Sequence, residues 1–143
     1  MGIITGGVTI IMNLTDLLKS VEIDSIRPNQ LETELNEIDI NKITYHSKEV
    51  ETDTLFVCIK GHQNDGHNYA KHAVSQGATV IIVEQFIEDL DVLQLKVTNS
   101  REVLAILSSN FFDQPSKSMS LFGVTATNGK TTITYMTEEI FKA

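Results

Sequence analysis

The sequence predicts an α/β fold in which helices flank a mostly parallel sheet. Apolar runs of strand length alternate with segments of helical periodicity along the chain, an order that is typical of parallel strands joined by crossover helices. The run from Leu55 to Ile59 is continuously apolar, as expected of a strand that is buried on both faces. Gly77 directly follows a helical stripe, in a position where glycine commonly ends a helix.

The first predicted element is a short amphipathic helix, for which Asn13 is the expected cap and Asp16 lies in the first turn. Residues 22–37 are polar and acidic, and we interpret them as a connection. Isoleucines between residues 38 and 43 predict a first strand, which ends at residues 45–47. The apolar side chains of the first helix recur at helical spacing: Leu14, Leu17, Leu18 and Val21.

Three further strands are predicted over residues 55–59, 79–83 and 93–97. A helix with an apolar face within residues 69–74 separates the second strand from the third. Ser100 is the expected cap of a longer helix after the fourth strand. The apolar stripe of that helix is Val103, Leu104, Leu107 and Phe111.

A domain boundary is predicted in residues 113–118, where a proline stands among polar side chains. Residues 12–112 therefore form one expected domain. A strand over residues 119–124 and a helix from about Thr131 begin a second domain, over residues 119–143. The apolar side chains of this last helix are Ile133, Met136, Ile140 and Phe141.

Residues 1–11 differ in character from the rest of the chain. They contain neither the basic segment nor the long apolar core of a signal peptide. We expect Met12 to be the natural start and residues 1–11 to come from cloning or from an upstream start codon. The alternative is an added edge strand over residues 8–11.

The composition restricts the classes of function. With a formal net charge of −8, the chain is not expected to bind nucleic acid, because phosphate backbones require a basic surface. No apolar run in the sequence is long enough to cross a membrane. The single cysteine, Cys58, lies in an apolar run, so we expect a buried, unreactive thiol in a reducing compartment.

A phosphate-binding loop is predicted from Gly123 to Thr132. Its sequence is Gly-Val-Thr-Ala-Thr-Asn-Gly-Lys-Thr-Thr, between a predicted strand and a predicted helix. In this layout backbone N–H groups surround a phosphate chain. Lys130 is expected to reach the terminal phosphates, and the Thr131 hydroxyl to coordinate Mg²⁺. Val124 stands where the general P-loop pattern has glycine.

Gly61 to His67 form a second polar loop, directly after the second predicted strand. Ligands of α/β sheets bind in loops at the carboxyl ends of parallel strands, and this loop offers amide, imidazole and carboxylate groups. A metal on His62, Asp65 and His67 is the less favoured interpretation, because no cysteine or further carboxylate stands at a suitable spacing.

Taken together, the two loops resemble the Mur ligase family, which joins amino acids to UDP-linked muramic acid precursors of the bacterial cell wall. The resemblance extends from about residue 12 to the end of the chain and is nearest to the MurE type, the UDP-N-acetylmuramoyl-tripeptide synthetases. It implies a UDP-sugar-binding domain followed by the start of a P-loop ATPase domain. The segments that carry it are Gly61-His62-Gln63, Asp65-Gly66-His67 and Thr127-Asn128-Gly129-Lys130-Thr131-Thr132.

The resemblance implies two binding sites. Tyr45 and Ser47 are the expected contacts of the uridine part of the UDP-sugar, and the segment His62, Gln63 and Asn64 is expected to contact its uracil or diphosphate. ATP is expected on Ala126, Thr127, Asn128, Gly129, Lys130, Thr131 and Thr132, with Mg²⁺ at Thr131.

Three residues in these sites depart from the family pattern. The family's Asp-Ser-Arg at the uridine site is His46-Ser47-Lys48 in this chain, which removes a carboxylate and replaces a planar, bidentate donor with a point charge. Ala126 stands where the family has glycine in the phosphate loop.

The implied activity is that of an ATP-dependent ligase in peptidoglycan biosynthesis. ATP phosphorylates the carboxylate of UDP-MurNAc-L-Ala-D-Glu, and the amine of the third amino acid, diaminopimelate or lysine, attacks the acyl phosphate. The family's catalytic residues belong to domains outside these 143 residues, so we expect this chain alone to be inactive. The implied partners are the UDP-linked dipeptide and ATP, and we expect a cytoplasmic monomer.

Two other interpretations stay open. The first is a truncated or degenerate paralogue that at most binds a UDP-sugar. The second is another Mur-type amide ligase, of the MurF-like or folylpolyglutamate synthetase-like kind. A folylpolyglutamate synthetase relative shares the phosphate loop but does not need the polar loop from Gly61 to His67.

Overall fold

The structure is a computed structural model, and it describes residues 10–28, 35–61, 64–117, 123–125 and 127–142. Its internal contacts divide the chain into two compact units, Met1–Asp113 and Gln114–Ala143. The expectation of an edge strand at residues 8–11 falls largely outside the described residues, and Ile10 and Ile11 are not part of a strand.

A five-stranded sheet forms the centre of the first unit. In the described residues of this unit the strands are β1 (Met12–Asn13), β2 (Ser25–Arg27), β3 (Asp39–Ile40), β4 (Lys42–Thr44), β5 (Thr54–Val57), β6 (Ala78–Val83) and β7 (Leu93–Lys96). The order in the sheet is β2-β7-β6-β5-β4, with β4 to β7 parallel and β2 antiparallel to β7. A separate antiparallel pair joins β1 to β3. The predicted α/β fold with a mostly parallel sheet is confirmed.

Helices cover both faces of this sheet. Those whose full bounds lie in the described residues are α1 (Leu14–Leu17), α2 (Ala70–Ser75) and α3 (Ser100–Phe111). Leu55 and Val57 of β5 share one buried cluster with α1 and α3, whereas Phe56 and Cys58 share a second cluster with α2. Successive side chains of a strand point to opposite faces, so a strand between two helical layers must be apolar throughout. The prediction that β5 is buried on both faces is confirmed.

The ends of α1 and α2 follow the sequence signals. The side-chain oxygen of Asn13 accepts a hydrogen bond from the N–H of Thr15 at 2.9 Å, which confirms the expected cap. Gly77 stands just beyond α2 with φ of +115°. A Cβ atom at this position would lie 2.9 Å from Cα of Thr52, so both the backbone conformation and the space require glycine.

The expected cap of α3 was wrong by one residue. Asn99 is the cap, and its Oδ1 accepts the N–H groups of Arg101 at 3.1 Å and Glu102 at 3.3 Å. Ser100 is instead the first helical residue, and its side chain is buried. Its hydroxyl donates to the carboxylate of Glu84 at 2.8 Å, and this contact occupies the group that was expected to cap the helix.

Three predictions for the first part of the chain were wrong. The expected single strand over residues 38–43 is two strands, β3 and β4, in different sheets, because β3 pairs with β1 whereas β4 pairs with β5. The connection over residues 22–37 contains β2. The first helix ends at Leu17, earlier than the apolar spacing indicated.

The second unit contains a 3-10 helix, Pro115–Lys117, and the helix α4 (Lys130–Lys142). Helix α4 begins one residue before the predicted start. Gly123 and Val124 are not part of a strand, and the rest of the strand expected over residues 119–124 lies outside the described residues. The apolar stripe of α4 is exposed, from 44% at Ile133 to 73% at Ile140.

Within the part of the chain that the structure describes, no helix has the length and apolar character needed to cross a membrane.

A chain cut after Asp113 is expected to keep a cooperative unfolding transition, because both buried clusters consist of residues that precede the cut. Thermal melting of residues 12–113, followed by circular dichroism, measures this. As a control, a cut after Thr98 removes α3 and its buried side chains, and we expect it to abolish the transition. Loss of the transition in the longer fragment would show that the first unit depends on the second.

Candidate functional site

A cleft of about 860 Å³ lies at the carboxyl ends of β4 and β5. One wall is the turn after β4 together with a 3-10 helix, Ser47–Glu49, a second is the loop after β5, and a third is the first turn of α3. Open α/β sheets bind their ligands at this edge. The residues that line the cleft include Tyr45, His46, Ser47, Lys48, Asn64 and Arg101.

Three of the five predicted UDP-sugar contacts lie together in this cleft: Tyr45, Ser47 and Asn64. The other two, His62 and Gln63, lie outside the described residues. The loop that contains them is closed at its base, because the N–H of Gly61 donates to the carbonyl of Asn64 at 2.8 Å. The contacts of all five residues with a ligand stay predictions.

Buried Thr44, the last residue of β4, shapes the first wall. Its hydroxyl accepts the N–H of His46 at 3.1 Å and donates to the carboxylate of Glu49 at 3.2 Å. The N–H of Glu49 in turn donates to the carbonyl of His46 at 2.9 Å. These bonds fix the tight turn that presents Tyr45 and Ser47 to the cleft. The Tyr45 ring is half exposed, with its centroid 4.1 Å from that of His46.

The lining combines apolar and cationic groups. Ile59 and Leu104 are partly buried against the core, and the ring of Tyr69 is exposed beside them. Lys48 and Arg101 supply positive charge, whereas the one carboxylate in the lining formed by described residues, that of Glu49, already accepts a hydrogen bond from Thr44. This combination suits a ligand with a flat ring and an anionic group.

His67 anchors the loop after β5. Its Nδ1 and the Oδ1 of Asp65 lie 2.6 Å apart, and its Nε2 accepts the N–H of Glu84 at 3.0 Å. Because Nε2 accepts a hydrogen bond, we assign the ring proton to Nδ1, which donates it to Asp65. Both ring nitrogens are therefore occupied within the protein, and His67 is not available as a metal ligand.

The same contacts continue into α3. The carboxylate of Glu84, directly after β6, accepts the N–H of Ser100 at 3.0 Å and its hydroxyl at 2.8 Å. A chain of hydrogen bonds thus runs from Asp65 through His67 and Glu84 to Ser100. It joins two walls of the cleft to the end of β6. Only glycine fits at position 66 of this loop, because a Cβ atom there would lie 2.6 Å from the backbone nitrogen of Ile59.

Two observations on the described residues of the first unit concern nucleophilic and metal chemistry. Cys58 is buried, as predicted, and burial raises the pKa of its thiol to about 12, so the thiolate is scarce at neutral pH. Among the described residues, no three His, Cys, Asp or Glu side chains are grouped so that they could hold a metal ion.

Sequence reasoning did not find Arg101, Leu104, Ile59 or Tyr69 as lining residues. For Arg101 a signal was present. A helix that starts directly after a parallel strand has its first turn at the carboxyl edge of the sheet, and Arg101 is the second residue of such a helix. The other three are part of apolar patterns that indicate the core equally well.

The predicted ATP contacts lie in the second unit. Gly129 has φ of +77°, a left-handed conformation that favours glycine, and its carbonyl accepts the N–H of Ile133 at 3.0 Å. Helix α4 begins at Lys130, so Thr131 and Thr132 are in its first turn and Thr127 and Asn128 form the bend before it. A bend that leads through a left-handed glycine into the first turn of a helix is the backbone arrangement expected of a phosphate-binding loop. Ala126 lies outside the described residues.

The fold agrees with what comparison with known proteins finds. The sequence profile of the Mur ligase family, catalytic domain, matches residues 39–112. The chain belongs to the Mur ligase family.

Two similar sequence relatives share one enzyme name. The UDP-N-acetylmuramoyl-L-alanyl-D-glutamate--2,6-diaminopimelate ligase of Clostridium botulinum is 46% identical over 135 residues, which are 92% of this chain and 26% of the relative. The enzyme of the same name from Clostridioides difficile is 40% identical over 129 residues, 90% of this chain and 25% of the relative. The chain thus spans about a quarter of the length of these curated relatives.

Solved structures of MurF enzymes are also similar. A structure of UDP-N-acetylmuramoylalanyl-D-glutamyl-2,6-diaminopimelate--D-alanyl-D-alanyl ligase from Acinetobacter baumannii matches 75% of this chain and 23% of its own, with a TM-score of 0.61 and 25% identity. MurF ligase from Thermotoga maritima in complex with ADP matches 64% of this chain and 21% of its own, with a TM-score of 0.50 and 33% identity.

Replacement of Asp65 is expected to change how acid unfolds the protein. The backbone N–H of His67 is the largest cause of the lowered pKa of Asp65. The stability that this carboxylate contributes is therefore complete above its ordinary pKa, near 4, and is lost as the pH falls through the lowered value. Asp65→Asn keeps a side-chain oxygen as acceptor but removes the charge.

Urea unfolding between about pH 2 and pH 6 measures the effect. The unfolding midpoint of Asp65→Asn should fall less steeply on acidification than that of the unmodified chain. Asp65→Ala, which also removes the acceptor, should lose on the order of 1 kcal/mol at neutral pH. Identical acid profiles for the unmodified chain and Asp65→Asn would contradict the role assigned to this carboxylate.

Proposed function

We propose that the first unit binds the UDP end of UDP-MurNAc-L-Ala-D-Glu, and that the chain is part of an ATP-dependent ligase that adds 2,6-diaminopimelate to this precursor in peptidoglycan synthesis. The observation that carries the proposal is the cleft at the carboxyl ends of β4 and β5, where Tyr45, Ser47 and Asn64 lie together. The names of the sequence relatives support the substrate and the added amino acid.

The character of the cleft supports a nucleotide. Exposed tyrosine rings and the apolar side chains of Ile59 and Leu104 offer faces against which a pyrimidine can pack. Lys48 and Arg101 give the lining positive charge, which favours an anionic ligand. In a chain of net charge −8, such a local excess of cations marks a place for an anion.

A UDP site far from the reacting carboxylate has a mechanistic use. Binding energy from a remote part of a substrate positions the reacting end and lowers the entropic cost of the chemical step. In this proposal Tyr45, Ser47 and Asn64 hold and orient the nucleotide and take no part in bond making. Proton transfer and phosphoryl transfer are left to other parts of the ligase.

For ATP, the residues present fit a phosphate site at the start of α4. When bound, ATP supplies the phosphoryl group that activates the carboxylate. The left-handed Gly129 allows the backbone to turn into the helix, and the Lys130 ammonium and Thr131 hydroxyl are placed at that first turn, where they would hold the phosphates and Mg²⁺.

A MurF-type function is the less supported alternative. The similar MurF structure from Acinetobacter baumannii is 25% identical to this chain, whereas the diaminopimelate ligases are up to 46% identical. A degenerate paralogue that only binds a UDP-sugar shares the same cleft, and measurement of ligand binding alone does not separate it from a ligase fragment. Growth complementation by a chain of the relatives' full length, carrying these residues, separates the two.

Restoring the family residues at the uridine site is expected to tighten nucleotide binding. Calorimetry with UDP-MurNAc-L-Ala-D-Glu should show weak binding by the unmodified chain. His46→Asp and Lys48→Arg should each lower the Kd by roughly three- to tenfold, because one restores a carboxylate acceptor and the other a bidentate donor. Lys19→Arg, a change outside the cleft, is the matched control. No binding by any of these variants would refute the proposed site.

We expect residues 1–143 to bind ATP weakly. The phosphate loop is present, but the helix that follows it, α4, has an exposed apolar face. Burial of that face would stabilise the helix by roughly 1.5–3 kcal/mol per large side chain. Because the face is exposed, α4 lacks this stabilisation, and its first turn is held less firmly than in a packed ATP site. Equilibrium dialysis with and without Mg²⁺ tests this, with Lys142→Ala as the control. Tight, Mg²⁺-dependent binding that Lys130→Ala abolishes would show a self-contained ATP site.

A further inference from the structure

The chain contains two arginines, and the structure gives them different surroundings. Arg27, on the edge strand β2, pairs with Glu88 at 2.8 Å and lies 4.6 Å from the centroid of the Phe86 ring. Arg101 lines the cleft, and none of the ion pairs among the described residues includes it. Its Nη2 donates to the carbonyl of Lys60 at 3.4 Å, a long contact that leaves most of the guanidinium donors available.

The position of Arg101 is not explained by helix stability. A cation in the first turn opposes the helix macrodipole, whereas Glu102, the next residue, has the favourable charge. Arg101 is also exposed, unlike the neighbouring Val103 of the same turn. Neither packing nor electrostatics within α3 therefore favours arginine at this position.

The backbone at the start of α3 is not itself a site for an anion. The N–H of Ser100 donates to Glu84, those of Arg101 and Glu102 donate to Asn99, and that of Val103 donates to the carbonyl of Asn99. All four amides that a helix start could offer to a phosphate are used within the protein. Positive charge at this wall of the cleft thus comes from the side chain alone.

We propose that Arg101 binds the diphosphate of the UDP group, and so fixes the nucleotide between α3 and the loop after β5. This inference rests on the proposed function and adds to it a residue outside the predicted contacts. A guanidinium donates two parallel hydrogen bonds to phosphate oxygens, and the contact of Nη2 with the Lys60 carbonyl at 3.4 Å places the Arg101 side chain beside the start of the loop after β5. Arg101 is a binding residue in this view and takes no part in the chemical step.

The test compares uridine, UMP and UDP on the unmodified chain and on three variants. Arg101→Gln should weaken UDP binding by roughly ten- to a hundredfold, as expected for loss of a hydrogen-bonded charge, and should leave uridine affinity within about twofold. Arg101→Lys should bind UDP with intermediate affinity, because it keeps the charge but not the planar pair of donors. Arg27→Gln is the matched control and should bind UDP like the unmodified chain.

Salt dependence gives a second readout. The affinity of the unmodified chain for UDP should fall as salt rises, and that of Arg101→Gln should fall less steeply. Equal UDP affinity for the unmodified chain and Arg101→Gln would overturn the inference while leaving the UDP site in place. An equal loss for uridine and UDP would also overturn it, because the arginine would then act on the base or the fold. Failure of the unmodified chain to bind UDP would refute the proposed function itself.

Discussion

The cleft depends on one chain of hydrogen bonds that ties the loop after β5 to the rest of the sheet. His67 bridges the carboxylate of Asp65 and the N–H of Glu84, and Glu84 in turn holds the first residue of α3. Because the imidazole donates through Nδ1 and accepts through Nε2, it links this loop to the end of β6, and Glu84 links the end of β6 to the start of α3.

Local charge, rather than the charge of the whole chain, determines which ligand this cleft suits. The net charge of −8 argues against a nucleic acid, yet the cleft lining contains Lys48 and Arg101 and a carboxylate, Glu49, that is engaged by Thr44. The first N–H groups of α3 already donate hydrogen bonds to Asn99 and Glu84. An anion in the cleft would therefore be bound by side chains and not by the backbone of this helix. Substitutions there can change ligand affinity without disturbing the sheet below.

Periodicity in the sequence predicted the parallel strands and their covering helices, because long apolar runs and helical stripes reflect burial directly. It did not predict β1, β2 or the break at Asn41, since strands of two or three residues are determined by pairing with distant segments. Motif order identified Tyr45, Ser47 and Asn64 as candidate contacts. Arg101 was missed although a signal was present, because its place in the cleft follows from combining two facts: it is the second residue of α3, and α3 follows a parallel strand whose carboxyl end lies at the edge of the cleft.

The central claim is that the edge formed by the ends of β4 and β5 and the start of α3 is a UDP site. Titration of the isotopically labelled chain with UDP, followed by backbone amide chemical shifts, tests it most directly. The account predicts saturable shifts that are concentrated in residues 45–49, 59–66 and 101–104, and much smaller shifts with CMP at the same concentrations. Shifts confined to α4 or to the opposite edge of the sheet, or no saturable shifts, would contradict it.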